Sequence, residues 1–272
     1  MGTHALFGFY YKGKYYLAYV QSDGSPSVIG REVFDSLITA LETGEVEQWI
    51  NHLTYDPPKV LGDAYYDEFL DPETGDMIDY EYVIQNLSDI IDRGVVYTDN
   101  TATFSSNDWN YVFDIDNMKF DIYRGNKLIL SLPVSGQNWQ PWKDIDLHNV
   151  TSLAESVLEN DFDGVSHDLK HLGLTDFIIR SSADPRINAL LEDYKFLRNQ
   201  PLATEFHRYP GTGTTNLMVI AARDYPELLK LHVAELTPAL IQHKNNQGKT
   251  VLDYLVSESV GPELWQTYVL GQ

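Results

Sequence analysis

Near residue 140 the spacing of apolar residues changes from every second position to about every 3.6, and this change dictates a chain that is part sheet and part helix. Before it, residues 111–115, 118–123 and 127–132 are short runs in which alternation of apolar and polar side chains is visible. Asp116-Asn117 and Gly125-Asn126 separate them, dipeptides that favour tight turns, so a three-stranded meander is predicted. After a loop at 135–142 the pattern is helical. Ser152-Leu153-Ala154-Glu155 has capping-box spacing ahead of Val157 and Leu158. Asp184-Pro185 supplies a cap and a first-turn proline for a helix carrying Ile187, Leu190, Leu191 and Tyr194. The expected class is α+β: an N-terminal antiparallel sheet domain with helices over 1–140, then a helical domain over 141–272.

Within the first part, residues 5–11 and 15–21 are rich in strand formers and flank Lys12-Gly13-Lys14, the signature of a β-hairpin. Val33, Phe34, Leu37, Ile38 and Leu41 form one helical stripe, ended by Gly44. A shorter helix through Val46, Trp49 and Ile50 follows, stopped by Asp56-Pro57-Pro58. Residues 63–99 hold eleven acidic side chains and one base, Arg93, yet Val83, Leu87, Ile90 and Ile91 keep helical spacing, which predicts a helix near 80–93. Asp71-Pro72-Glu73-Thr74-Gly75 reads as a turn.

Near the C-terminus a Gly-x-Thr-x-Leu pattern occurs twice, at Gly213-Thr214-Thr215-Asn216-Leu217 and at Gly248-Lys249-Thr250-Val251-Leu252, 35 residues apart. In such a pattern Thr caps a helix, Gly permits the preceding turn and Leu enters the core. With Ala221 and Asn245-Asn246-Gln247, these residues resemble ankyrin repeats, whose signature opens a helix about every 33 residues. The departures are Asn216 and Val251 in place of Pro, Met218 and Asp253 in place of His, and Asp224-Tyr225-Pro226 between the two helices of the repeat. The resemblance covers about 211–270 and implies binding of a protein partner; two repeats bury too little surface alone and must lean on preceding helices. The N-terminal part resembles uncharacterised proteins of fungi and large DNA viruses, through Met1-Gly2-Thr3, Lys12-Gly13-Lys14-Tyr15-Tyr16, Asp23-Gly24-Ser25-Pro26 and Tyr111-Val112-Phe113-Asp114-Ile115-Asp116. That resemblance implies no activity.

The 272 residues carry 40 Asp and Glu against 19 Lys and Arg, a net charge of −21. Direct binding to nucleic acid needs clustered bases and is disfavoured. The charge fits a solubilising surface, an acidic face that steers a basic protein partner, or a DNA mimic built from the carboxylates of 63–99. The absence of cysteine excludes disulfides, thiolate zinc sites and a cysteine nucleophile, and a cytosolic setting, in the producing cell or a host, is the simplest fit. No apolar run reaches ~18 residues and the first residues lack a secretory pattern, so neither membrane nor secretion is expected.

Catalytic patterns are incomplete. Thr3 would need to be the first residue to act as an N-terminal nucleophile. His167 and His171 share a helical face, but a metal pair needs a third ligand, for which Glu205 and His207 are the nearest candidates. A calcium-loop imitation at Glu159-Asn160-Asp161-Phe162-Asp163-Gly164 has Lys170 where the bidentate acid belongs, and a helix-ending Gly turn explains it better. Gly211-Thr212-Gly213 lacks the Lys-Ser/Thr of a phosphate loop. No cofactor or metal is expected. The leading expectation is a protein-interaction module, an effector or anti-defence factor, binding through the repeat end at Asn216, Asp224, Tyr225, Asn245, Asn246 and Asp253. Its alternatives are a hydrolase-type enzyme with a polar pocket near Thr3, Asp23 or Tyr111, and the acidic DNA mimic.

Overall fold

Five strands form one sheet in the order β2-β1-β3-β4-β5. The computed structural model describes residues 3–20, 23–59, 86–93, 108–136, 138–143, 145–171 and 182–255. The hairpin consists of β1 (Ala5–Tyr11) and β2 (Lys14–Val20), turning through Lys12 and Gly13, both at positive φ. The meander is β3 (Trp109–Asp114), β4 (Lys119–Arg124) and β5 (Lys127–Pro133), antiparallel throughout. The α+β class holds, with one refinement: β1 pairs with β3 in parallel, so the sheet is mixed. A parallel pair needs a crossover rather than a tight turn, and the long stretch of chain between hairpin and meander provides one.

Helices α1 (Ile29–Thr43) and α2 (Val46–Tyr55) cover one sheet face. Their stripe meets that face: Phe34 packs on Phe120 of β4 at 5.2 Å and Trp49 on Phe9 of β1 at 5.4 Å between ring centroids. Gly30 is glycine because a Cβ there would lie 2.7 Å from the ring of Tyr111. Gly44 ends α1 in the left-handed conformation. Helix α3 (Leu87–Arg93) contacts α1, α2, β1 and β2 and buries Leu87 and Ile90. Asn86 caps it reciprocally, accepting from the Asp89 N–H at 3.1 Å and donating its own N–H to Asp89 at 3.2 Å. The predicted start of that helix near 80, the turn at 71–75 and most of the acidic block lie outside the described residues. On the opposite sheet face Leu6, Leu17 and Val112 form a small cluster against Tyr10, Tyr15, Tyr19 and Tyr123.

The chain divides into two units, Met1–Thr151 and Ser152–Gln272. The stretch beyond the expected boundary at 140 is tied to the first unit: Trp142 Nε1 donates to the Pro133 carbonyl at 2.8 Å, and Arg31 Nη1 to that of Ile145 at 2.6 Å. Helix α4 (Leu147–Leu158) begins earlier than expected, because Asp146 accepts from the Asn149 N–H at 3.1 Å. Ser152 is therefore mid-helix rather than a cap, and its hydroxyl turns to Asp168 at 3.3 Å. Gly164 also differs from expectation. Asn160, at φ 59°, makes the turn after α4, while Gly164 lies in the first turn of α5 (Phe162–His171), whose N-terminus Asp161 caps at 3.0 Å.

In the second unit Asp184 caps α6 (Pro185–Asn199), accepting from the Arg186 N–H at 2.8 Å. There follow α7 (Asn216–Arg223), α8 (Pro226–Leu231) and α9 (Pro238–Ile241), then a 3₁₀ turn at Val251–Tyr254. Thr215 caps α7 and Thr250 forms a capping box with Asp253, as the repeated pattern requires. Leu217 is fully buried, but its counterpart Leu252 is 46% exposed, and Val251 takes the core position instead. No helix among the described residues is long and apolar enough to cross a membrane.

Candidate functional site

Two successive turns in the second unit are built on the same plan and joined to each other. In the first, residues 202–206 run antiparallel to 214–217: the Phe206 N–H donates to Thr214 at 2.9 Å and the Asn216 N–H to Thr204 at 2.8 Å. Gly211 and Gly213 adopt φ values of 77° and 70°, which aims consecutive N–H groups inward. They receive the carboxylate of Glu205, which accepts from the Gly213 N–H at 2.6 Å. The N–H groups of Gly213, Gly211 and Thr212 hold that carboxyl below the usual glutamate range. The glycine pair thus forms an anion-holding loop, and the anion is internal.

In the second turn an amide does the same work. Asn245 Oδ1 accepts from the N–H groups of Gln247 and Lys249, each at 3.0 Å, and Asn245 Nδ2 donates to the Tyr254 hydroxyl at 2.8 Å and to Thr214 at 3.4 Å. Asn246 then ladders one turn onto the other, its N–H reaching the Thr212 carbonyl at 2.8 Å and its Nδ2 that of Gly211 at 2.6 Å. His243 Nε2 adds a contact at 3.0 Å to the Gly213 carbonyl. Near the other end, Asp253 accepts from the Thr250 N–H at 2.7 Å, and this bond with the Thr250 hydroxyl lowers its pKa.

Beside the laddered turns lies a cleft of about 410 Å³, lined by Tyr209, Thr212, Thr214, Met218, Val219, Ala222, Arg223, Gln247 and Tyr254. Its volume is within the range of ligand-sized sites. The floor is apolar, from Met218, Val219 and Ala222 on one face of α7, and the rim carries Tyr209, 48% exposed. Among the described residues no carboxylate lines it. The one charged group among its described lining residues is Arg223, whose Nη2 donates to Asp193 at 2.6 Å. Asp193 on α6 is 2% exposed and also accepts from Arg208 Nε, with His207 Nε2 at 3.2 Å. A buried carboxylate needs such partners, and here it fixes α6, the first turn and α7 together.

Four of the six residues expected to face a partner are buried. Asn216 is fully buried and donates to the Pro201 carbonyl at 2.9 Å; Asp224 ends α7 at φ 54°; Tyr225 packs edge-on against Tyr194 at 5.1 Å, its phenol pushed up by burial; Asn245 organises the second turn. Their polarity stabilises turns and helix ends rather than a surface. Asn246 and Asp253 are exposed. The cleft residues went unread because Met218, Val219, Ala222 and Arg223 look like ordinary helix positions; their i, i+4 pairing was the available signal.

The other sequence candidates are placed apart. Glu205 and His207 serve the first turn and Asp193; Asp168 accepts from Ser152 and from Ser156 at 3.2 Å; the His171 side chain lies outside the described residues. No group of three or more metal-ligating side chains occurs among the described residues. The Thr3 carbonyl accepts from the Gly24 N–H at 2.9 Å, the Asp23 carbonyl from that of Ile29 at 3.3 Å, and the buried Tyr111 hydroxyl donates to the Gly24 carbonyl at 2.9 Å. On the sheet, buried Asp121 accepts from Ser131 at 2.5 Å and Tyr123 at 3.3 Å and pairs with Lys119 at 3.1 Å. Burial and Asp121 push the Tyr123 phenol up, away from proton transfer near neutrality. No protein-family model, curated protein or solved structure matches the chain.

Proposed function

We propose that the chain is a protein-interaction module whose C-terminal unit, organised as two imperfect ankyrin-type repeats, docks a segment of a protein partner. The cleft beside the laddered turns carries this reading: an apolar floor, an exposed aromatic rim and, among the described residues, no lining carboxylate. Interaction surfaces favour aromatic and Arg side chains and exclude acids from their centres, the composition found here. The −21 charge of the chain steers a partner of basic character toward the module, while the cleft itself supplies the contact. An effector or anti-defence role is compatible with this use, in the cytosol of the producing cell or of a host.

Ala222→Arg provides the test. Ala222 is exposed on α7 and lines the cleft, and Arg matches Ala closely in helix propensity, so the substitution fills the site without unfolding the unit. Partners captured from a cytosolic lysate by the full chain, identified and then purified, are expected to lose at least ~10-fold in affinity for the variant, as for a blocked interface centre. Equal binding by both proteins at unchanged thermal midpoint excludes the cleft as the docking surface.

A further inference from the structure

We infer, building on the docking role proposed above, that the cleft recognises the C-terminal residue of its partner, with a bulky apolar side chain on the floor and the terminal carboxylate on Arg223. Two guanidinium groups, Arg208 and Arg223, share the single buried carboxylate of Asp193. Glu192 approaches Arg208 at 4.0 Å and is 77% exposed. Asp193 therefore serves Arg208, Arg223 and the His207 ring at once. The Arg223 Nη1 is buried and has no hydrogen-bond partner among the described residues, while Nη2 donates to Asp193. The side chain lines the cleft, is 26% exposed and lies over the Phe206 ring at 5.6 Å, so its charge borders the space above the apolar floor.

The spacing selects a terminal residue. Val219 and Arg223 stand one helical turn apart on α7, so floor and cation lie within about 6 Å of each other along the helix. A C-terminal residue carries its side chain and carboxylate on the same Cα and bridges that distance without a further residue. It also brings only one negative charge to a chain of net charge −21, whereas an acidic segment brings several and is repelled.

The probes are N-acetyl-tryptophan, its amide, and N-acetyl-Trp-Glu-amide, the last carrying its carboxylate on a side chain. The readout is the methyl signal of Met218 in full-length protein labelled at methionine; with four Met in the chain, Met118 in the meander serves as the unperturbed reference. N-acetyl-tryptophan is expected to shift Met218 saturably and to bind about tenfold more tightly than the amide, the scale of one charge-assisted hydrogen bond. Arg223→Lys, which keeps a cation beside Asp193 but loses the guanidinium fork, is expected to erase that preference. Gln247→Glu, at the exposed rim, tests the same point should Arg223→Lys unfold, and is expected to weaken the acid probe while sparing the amide. Equal binding of acid and amide overturns the inference, as does tighter binding of N-acetyl-Trp-Glu-amide. Either result leaves the Ala222→Arg outcome untouched, and loss of partner binding in that variant with equal probe affinities retires the carboxylate assignment alone.

Discussion

Asn245 does with an amide in the second turn what Glu205 does with a carboxylate in the first: it collects backbone N–H groups that the turn would otherwise leave unpaired. Four hydrogen bonds converge on the Asn245 side chain, which is 6% exposed. Replacing it with Ala is expected to destabilise the unit by about 2–4 kcal/mol, since the abandoned N–H groups and hydroxyls lose their partner in a partly dry site. Asn245→Asp retains the acceptor and forfeits only the donor, so it should cost less. Denaturant unfolding, with hydrogen exchange read on peptides covering 205–255, separates the two. Equal losses for both variants contradict the assigned role. The sequence displayed Asn245 as a polar residue beside a glycine, and such residues read equally as partner contacts or as turn anchors. Burial decided between them.

At the scale of elements the repeated pattern behaves differently in its two copies. Thr215 opens an α-helix and buries Leu217; Thr250 opens a 3₁₀ turn, whose tighter winding rotates the following residues. Val251 is thereby fully buried and packs toward α7, while Leu252 points out. Val251→Asp places a charge in the core and is expected to cost about 3 kcal/mol or more, whereas Leu252→Asp is expected to stay within roughly 0.5 kcal/mol. Thermal denaturation of the two variants checks the order; a larger loss for Leu252→Asp refutes the packing described here. The sheet elements were far more legible. Alternation within 111–132 and the turn dipeptides marked the strands and their turns, while the register shift of β4 against β5 between Ile122 and Tyr123 has no local signal. The parallel pairing of β1 with β3 was not legible, since hairpin and meander are far apart in sequence and no local signal orders them.

For the whole molecule, acid pH acts through two routes that coincide. Glu205 and Asp253 have folded pKa values lowered from 4.5 and 3.8 by bonds to backbone N–H groups. Their contribution is present above those ordinary values and is lost as pH falls through the lower folded ones. The chain also reaches its isoelectric point near pH 4.5, where the repulsion that separates copies vanishes. Loosening of the C-terminal turns below about pH 4 and association near pH 4.5 are therefore expected together. Glu205→Gln keeps an acceptor for the Gly213 N–H but removes the titrating charge, so exchange at 211–213 should lose much of its acid dependence while light scattering still peaks near the isoelectric point. An unchanged exchange profile in this variant argues against the internal-anion loop.

By itself the sequence determined the α+β class, the hairpin and meander, the α1 stripe and the caps at Asp184, Thr215 and Thr250, because each depends on neighbours within a few residues along the chain. Only the tertiary structure decided which polar residues of the C-terminal unit are anchors and where its open surface lies. Glu205 meets the 211–213 loop, Asn246 meets Gly211, and Arg223 meets Asp193 across separations of 8 to 35 residues. Those meetings follow from how helices stack and turns ladder, a consequence of packing that no local pattern encodes.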